Sequence, residues 1–204
     1  MEHEIDIPRA YFVGGVNGVG KSTFLTELTT QRPEFTVLKG SSAFMEWLGI
    51  KPGDYNSLRA LPDEHKRAEF DKMMTQILTR PKTKGKILLI DAHYFHYNRG
   101  NMVSTTGDWI AMTDALFVVN ADTDVVMNRV VSDDKERDLF PENSLASEQV
   151  LLMDQYLRDT IQKARELSEI HNVPLFVIKN KQDDIEQAVA DFMQAHSDIM
   201  ERKK

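Results

Sequence analysis

A glycine-rich segment close to the N-terminus combines the residue types and the spacing that polyphosphate binding requires. It runs from Gly15 to Ser22 as GVNGVGKS and matches the pattern G-x-x-x-x-G-K-[ST] in full. Glycines allow the backbone to curl, so that successive N–H groups point inward at phosphate oxygens. An apolar run precedes the segment and a helical pattern follows it, which is the expected context. We therefore predict that this loop binds a nucleoside triphosphate with magnesium.

The end of this loop supplies the charged and hydroxyl groups of the predicted donor site. The helix that follows adds about half a positive charge at its N-terminus. We expect Lys21 to contact the β- and γ-phosphates, Ser22 to bind Mg²⁺, and Thr23 to lie beside the α-phosphate. The predicted contacts with ATP are Gly15, Asn17, Gly18, Val19, Gly20, Lys21, Ser22 and Thr23.

Asp91 is the second predicted magnesium ligand. It ends the apolar run Ile87 to Ile90, which reads as a buried strand. A carboxylate at the carboxyl edge of a parallel sheet can bind Mg²⁺ directly or through water. The alternative is a solvated aspartate that caps the next turn.

Five short apolar runs must position these groups. They lack the alternation of a half-exposed strand, so they indicate strands buried on both faces, as in a parallel sheet. The runs are Ala10 to Val13, Phe35 to Leu38, Ile87 to Ile90, Ala115 to Val119 and Pro174 to Ile178. The predicted helices are Lys21 to Thr30, Phe44 to Leu48, Asp63 to Leu78, Thr123 to Val131, Ser147 to Ile170 and Asp184 to Met200. Alternating strands and helices predict a three-layer α/β/α sandwich in one domain, residues 1–204.

Three segments carry no clear period and are expected to form irregular rims. They are Lys51 to Ser57, His93 to Gly107 and Ser132 to Asn143.

Composition narrows the class of protein. The chain has 204 residues, of which 41% are hydrophobic, a net charge of −7 and no cysteine. The negative charge argues against a nucleic-acid surface, and the lack of cysteine rules out disulfides and thiolate chemistry. No apolar run is long enough to span a bilayer, and the acidic N-terminus lacks a secretion signal. We expect a cytoplasmic protein without a membrane partner, and the oligomeric state, including a homo-oligomer, stays open.

Further residues, in their order along the chain, resemble the archaeal-type adenylate kinases, a branch of the P-loop nucleoside monophosphate kinases. They are the segment Ser41 to Glu46, the segment Leu58 to Leu61, Asp91-Ala92-His93, and Arg129, Lys135, Arg137 and Asp138 after the fourth strand. The resemblance implies transfer of the γ-phosphoryl group from MgATP to AMP on a five-stranded parallel sheet. It also implies a small acceptor-binding insertion near residues 40–80 and a short lid near residues 129–143.

The same resemblance implies roles for individual residues. Ser42, Arg59 and His93 would bind the acceptor nucleotide. Lys21, Arg129 and Arg137 would be catalytic, with Arg129 and Arg137 coming from the lid. Basic groups from separate segments must converge because two nucleotides bring several negative charges together. Two weaker candidates are Lys135, where an arginine is expected, and Arg99.

Other functions remain open at this stage. The acceptor could be another small hydroxyl or phosphate compound, or the chain could be a nucleotide-dependent switch. Asn180-Lys181-Gln182-Asp183 matches N-K-x-D, the guanine-reading motif of small GTPases. The sequence after Asp91 lacks the D-x-x-G of a GTPase switch, so we interpret the match as chance combined with a helix start.

Overall fold

The computed structural model describes residues 10–80, 86–98, 100–133, 139–181 and 184–202. Six residues discussed above lie outside these ranges: Arg99, Lys135, Arg137, Asp138, Gln182 and Asp183. The interpretations given for them therefore stay predictions.

The described residues form seven strands and seven α-helices. The strands are β1 (Ala10–Gly14), β2 (Phe35–Lys39), β3 (Ile87–Asp91), β4 (Phe95–Asn98), β5 (Asn101–Ser104), β6 (Ala115–Asn120) and β7 (Leu175–Lys179). The helices are α1 (Lys21–Gln31), α2 (Gly40–Trp47), α3 (Tyr55–Ala60), α4 (Asp63–Thr79), α5 (Thr123–Ser132), α6 (Ala146–His171) and α7 (Ile185–Arg202). A 3₁₀ turn spans Asp108–Met112. No helix in the described ranges is long and apolar enough to cross a membrane.

The five predicted strands form one parallel sheet in the order β2-β3-β1-β6-β7. This confirms the predicted fold class. The central strand β1 is buried along its whole length, since helices cover both faces of the sheet. Tyr11 and Val13 join the core on one face, whereas Phe12 joins the core on the other. Strand order reverses between β1 and β6, and ligands of such sheets bind at the carboxyl ends of the strands at this point.

The region after β3 is more regular than the sequence analysis expected. Between His93 and Gly107, β4 and β5 form an antiparallel hairpin in which Asn98 faces Asn101. Gly100, directly before β5, has φ 83°, a left-handed conformation that glycine adopts without strain. Alternation within β4 was the missed signal, because Tyr97 is buried and packs against Tyr156 of α6.

One helix begins earlier than predicted, and another was not predicted. Helix α2 begins at Gly40, directly after β2, and not at Phe44. A β-carbon at Gly40 would lie 3.0 Å from the carbonyl oxygen of Asp91, so the helix starts where only glycine fits easily. Helix α3 lies partly within a segment predicted to be irregular, and Asp54 caps it by accepting from the N–H of Ser57.

Candidate active site

The glycine loop connects β1 to α1 and needs glycine at several positions. Gly18 and Gly20 have φ values of 90° and 81°, which L side chains rarely adopt. At Gly15, a β-carbon would approach the carbonyl oxygen of Val119 in β6 to 2.5 Å. The loop is thus pressed against the sheet at the switch point between β1 and β6.

Several backbone N–H groups of the loop have no acceptor in the described part of the chain. They are the N–H groups of Gly18, Gly20, Lys21 and Ser22. Helix α1 also has no side-chain cap at its N-terminus. Backbone donors in folded proteins are almost always paired, so a row without partners is typical of a site for an anion.

Lys21 lies at the bottom of this loop and is 8% exposed. Its Nζ donates to the Asp91 carboxylate and, at 2.8 Å, to the carbonyl oxygen of Ala92. The contact follows from the topology, since β1 and β3 are neighbours and Val13 is in register with Asp91. Burial lowers the pKa of Lys21, and the charge and hydrogen bond of Asp91 act in the opposite direction.

Arg129 reaches the loop from the last turn of α5. Its NH1 is buried and has no hydrogen-bond partner among the described residues. It lies 3.1 Å from the position that a β-carbon on Gly20 would take. A buried guanidinium nitrogen without a partner is costly, so its placement is typical of a group that binds a ligand.

Asn180, directly after β7, is a site residue that the sequence analysis did not assign. Its side chain is buried, and Nδ2 donates to the carbonyl oxygen of Val19 at 2.8 Å. Its backbone N–H donates to the carbonyl oxygen of Asn120 at 2.7 Å. The available signal was a polar residue at the carboxyl end of a buried strand.

His93 also contacts the loop. Its Nδ1 lies 2.7 Å from the carbonyl oxygen of Gly15 and therefore carries the proton that is donated there. Next to it, the fully buried ring of Tyr94 lies under Gly14, where a β-carbon would come within 2.3 Å of the ring. His93 and Tyr94, directly after β3, therefore pack against the start of the glycine loop at Gly14 and Gly15.

Ser42 and Arg59, both predicted to bind the acceptor, lie apart from this cluster. Ser42 is half-buried in the first turn of α2, whose N-cap is Lys39, so it does not cap the helix. Arg59 is exposed at the end of α3, and its NH1 donates to Asn56 Oδ1 at 3.4 Å. Arg59 lies close enough to His96 of β4 to influence its pKa. No hydrogen bond between described residues joins either side chain to the glycine loop.

The structure thus gathers most of the predicted donor-site residues at one edge of the sheet. Ser22 and Thr23 are exposed on the first turn of α1, and Asn17 is half-exposed in the loop. The geometry can hold a polyphosphate through backbone N–H groups and two cationic side chains, Lys21 and Arg129. The functional roles themselves remain predictions.

Comparisons with known proteins agree with this fold. A family model described as an AAA domain matches residues 14–147, which include the glycine loop, β3 and α5. A comparison with curated proteins gave no match.

Among solved structures, shikimate kinase from Bacteroides thetaiotaomicron aligns with a TM-score of 0.63 and 14% identity over 93% of this chain and 98% of that one. Shikimate kinase from Acinetobacter baumannii, in complex with shikimate, gives 0.59 and 14% over 95% of both chains. Thymidylate kinase from Candida albicans gives 0.55 and 13% over 92% of this chain and 90% of that one. At such identities the similarity shows the P-loop kinase fold alone.

Proposed function

This chain belongs to the AAA domain family, and from that premise we propose that it is a phosphotransferase acting on MgATP and a small acceptor. The proposed reaction moves the γ-phosphoryl group of ATP to a nucleoside monophosphate, with AMP as the first candidate. The observation that carries the proposal is a cluster at the end of β1, where Lys21 and Arg129 lie beside backbone N–H groups that have no acceptor among the described residues. Phosphoryl transfer depends mainly on positioning and on neutralising charge, which is what these groups can supply.

The donor phosphates would lie in the glycine loop. Backbone N–H groups of the loop and the N-terminus of α1 favour a polyanion there. Lys21 would exchange its contact with Asp91 for the β- and γ-phosphates. This exchange is favourable because the phosphates provide the buried ammonium group with a new anionic partner.

Ser22 and Asp91 are proposed to hold Mg²⁺. A hydroxyl and a carboxylate oxygen are the hard ligands that this ion prefers, and both side chains lie at the carboxyl edge of the sheet, so the residues fit the ion. When bound, the ion neutralises charge on the phosphate oxygens. The carboxylate has two oxygens, and only Oδ1 is engaged with Lys21.

Arg129 is proposed to act on the transferring group. The bond between the γ-phosphorus and the bridging oxygen breaks as a bond to the acceptor oxygen forms, and ADP leaves. A guanidinium group that contacts the transferring phosphoryl group can be worth about 10³–10⁵ in rate. Arg137 is proposed to assist from the lid near residues 129–143 and lies outside the described residues.

The acceptor is proposed to bind on the side formed by residues 40–80, beside Ser42 and Arg59, with His93 at the floor. Arg59 and Lys66 lie near His96, since both positive charges act on its pKa. Lys66 is already paired with Asp63 at 2.7 Å, so the support for an anionic acceptor, such as a phosphate ester, comes from Arg59, which forms no ion pair with another described residue. His93 is held by the loop carbonyl of Gly15, which would place its ring between the two substrates.

Measuring ADP formation with a panel of acceptors tests the proposal. The panel contains the common nucleoside monophosphates and shikimate, each with ATP or GTP as the donor. Strong stimulation of ADP formation by a nucleoside monophosphate supports the proposed nucleoside monophosphate kinase. Stimulation by shikimate alone would show that the acceptor is shikimate and not a nucleoside monophosphate. Slow hydrolysis that ignores every acceptor would instead favour a nucleotide-dependent switch.

Arg129→Ala is the matched variant for the same assay. It should lower kcat by about 100-fold or more and leave the fold unchanged. Arg158→Ala is the control, because Arg158 is paired with Asp154 on the exposed surface of α6. Equal activity of the two variants would remove Arg129 from the mechanism.

A further inference from the structure

We propose that Asn180 is a positioning residue for the phosphate-binding loop. Its side-chain amide fixes the peptide group between Val19 and Gly20, so that the N–H of Gly20 is presented to the donor phosphates. The inference rests on the proposed function, because it concerns the same donor site.

The orientation follows from the geometry of one peptide group. In a trans peptide the C=O and the N–H point in opposite directions within one plane. The carbonyl oxygen of Val19 accepts from Asn180 Nδ2 at 2.8 Å. The N–H of Gly20 must therefore point away from Asn180, and it has no acceptor among the described residues.

Asn180 is itself fixed by the sheet. It follows β7 directly, its backbone N–H donates to the carbonyl oxygen of Asn120 at 2.7 Å, and the residue is 3% exposed. Strands β6 and β7 are in register up to Asn120 and Lys179, so the contact continues their pairing. The side-chain amide of Asn180 therefore holds the loop in a fixed position relative to the sheet, because the residue that carries it is buried and bonded to β6.

Close packing at Gly20 shows that the amide leaves little room for an alternative orientation. A β-carbon on Gly20 would lie 2.4 Å from Asn180 Nδ2 and 3.1 Å from Arg129 NH1. The side-chain amide of Asn180, the Arg129 NH1 and the N–H of Gly20 thus meet at one residue, and the last two have no partner in the part of the chain that the structure describes. This gives Asn180 of the N-K-x-D match a role that requires no guanine base.

Asn180→Asp is the sharpest variant, because it keeps the side-chain shape and removes the donor. A carboxylate next to the carbonyl oxygen of Val19 repels it, so the peptide should rotate. Calorimetry should show the Kd for MgATP rising about tenfold or more, in line with the loss of a correctly aimed donor to a charged group. Lys181→Ala is the control, since Lys181 is the next residue in the chain and is exposed.

Amide NMR separates positioning from a merely structural role. Inorganic pyrophosphate added to the wild-type protein should move the Gly20 N–H resonance strongly downfield, and the shift should be lost in the folded Asn180→Asp variant. A Gly20 resonance that pyrophosphate leaves in place in the wild-type protein would overturn the proposal, even if the variant fails to fold. An unchanged Kd and an unchanged shift in the variant would overturn it equally.

The two proposals fail in different ways. If wild-type protein binds ATP but transfers phosphate to no acceptor, the proposed function fails, and the role of Asn180 is still decided by the binding data. If the Asn180→Asp variant binds ATP as the wild-type protein does, the proposed function remains and the positioning role is removed.

Discussion

The two sides of the candidate site are built differently. On the donor side, Lys21 and Asn180 are buried and bonded to the loop or the sheet, and the loop conformation depends on glycines. On the acceptor side, Arg59 is exposed, and its NH1 donates to Asn56 Oδ1, one turn earlier in the same helix.

The difference concerns how each substrate is selected. In the proposed function, polyphosphate would be recognised by backbone groups and buried charges, which cannot change without disturbing the core. The acceptor would be selected by exposed side chains on short elements, where substitutions cost little stability. The donor chemistry can therefore be argued from the fold, whereas the identity of the acceptor has to come from the acceptor screen.

Lys21→Ala should give the largest effect on the donor side. It removes a full positive charge from the phosphate site, so turnover should fall by about 10³-fold. Losing the partner of the Asp91 carboxylate should also lower the free energy of unfolding by about 1–3 kcal/mol. Initial-rate assays measure the first effect and urea denaturation the second. Near-normal turnover in a folded Lys21→Ala protein would contradict the phosphate-site argument.

Gly20→Ala tests the close packing of the donor side. The substitution puts an L side chain at φ 81° and drives a β-carbon to 2.4 Å from Asn180 Nδ2. Strain of about 1–2 kcal/mol from the backbone alone, plus the clash, should lower Tm and weaken ATP binding by about tenfold or more.

Gly49→Ala is the matched control on the other side of the site. Gly49 has φ 69°, but a β-carbon there would meet nothing within 4 Å. It should show the backbone strain without loss of ATP binding, as measured by thermal unfolding and calorimetry. If both variants lose ATP binding to the same extent, the contact between Gly20 and Asn180 is not what sets the loop.

The same contrast explains what the sequence could predict. The glycine loop, the five strands and the place of Asp91 at the end of β3 could be predicted because motif spacing and buried apolar runs are local signals. The contact of Asn180 with Val19 and the proximity of Arg129 to Gly20 could not be predicted in this way. Both depend on which strands and helices become neighbours in the folded chain. The β4–β5 hairpin was missed because its alternation covers only four residues per strand.

Arg59→Ala should have a moderate effect that is confined to the acceptor side. A lost charged hydrogen bond to an anionic acceptor should raise the acceptor KM by about tenfold and leave the KM for ATP unchanged. Arg32→Ala is the control, since Arg32 pairs with Glu34 at 2.8 Å on the surface. Equal increases in both KM values would remove Arg59 from acceptor binding.

The smallest expected effect concerns His96, whose titration tests where the proposed acceptor binds. Although part of the residue is exposed, its pKa is lowered from 6.5, first by desolvation and then by the charges of Lys66 and Arg59, while Asp63 acts in the opposite direction. The unfolded chain therefore binds this proton more readily than the folded chain does. Its contribution to stability is present above pH 6.5 and is lost as pH falls through the folded pKa. Urea denaturation on both sides of this window should show a smaller pH effect for His96→Gln than for the wild-type protein.

An anionic acceptor bound beside Arg59 and Lys66 offsets the positive charges that disfavour protonated His96. NMR titration of the His96 ring should therefore give a higher pKa with saturating AMP than without it. His171 ends α6 at the opposite edge of the sheet and serves as the internal reference. If AMP binds by calorimetry and the His96 titration does not move, the acceptor lies away from Arg59, because a phosphate next to that guanidinium cannot leave the local charge balance unchanged.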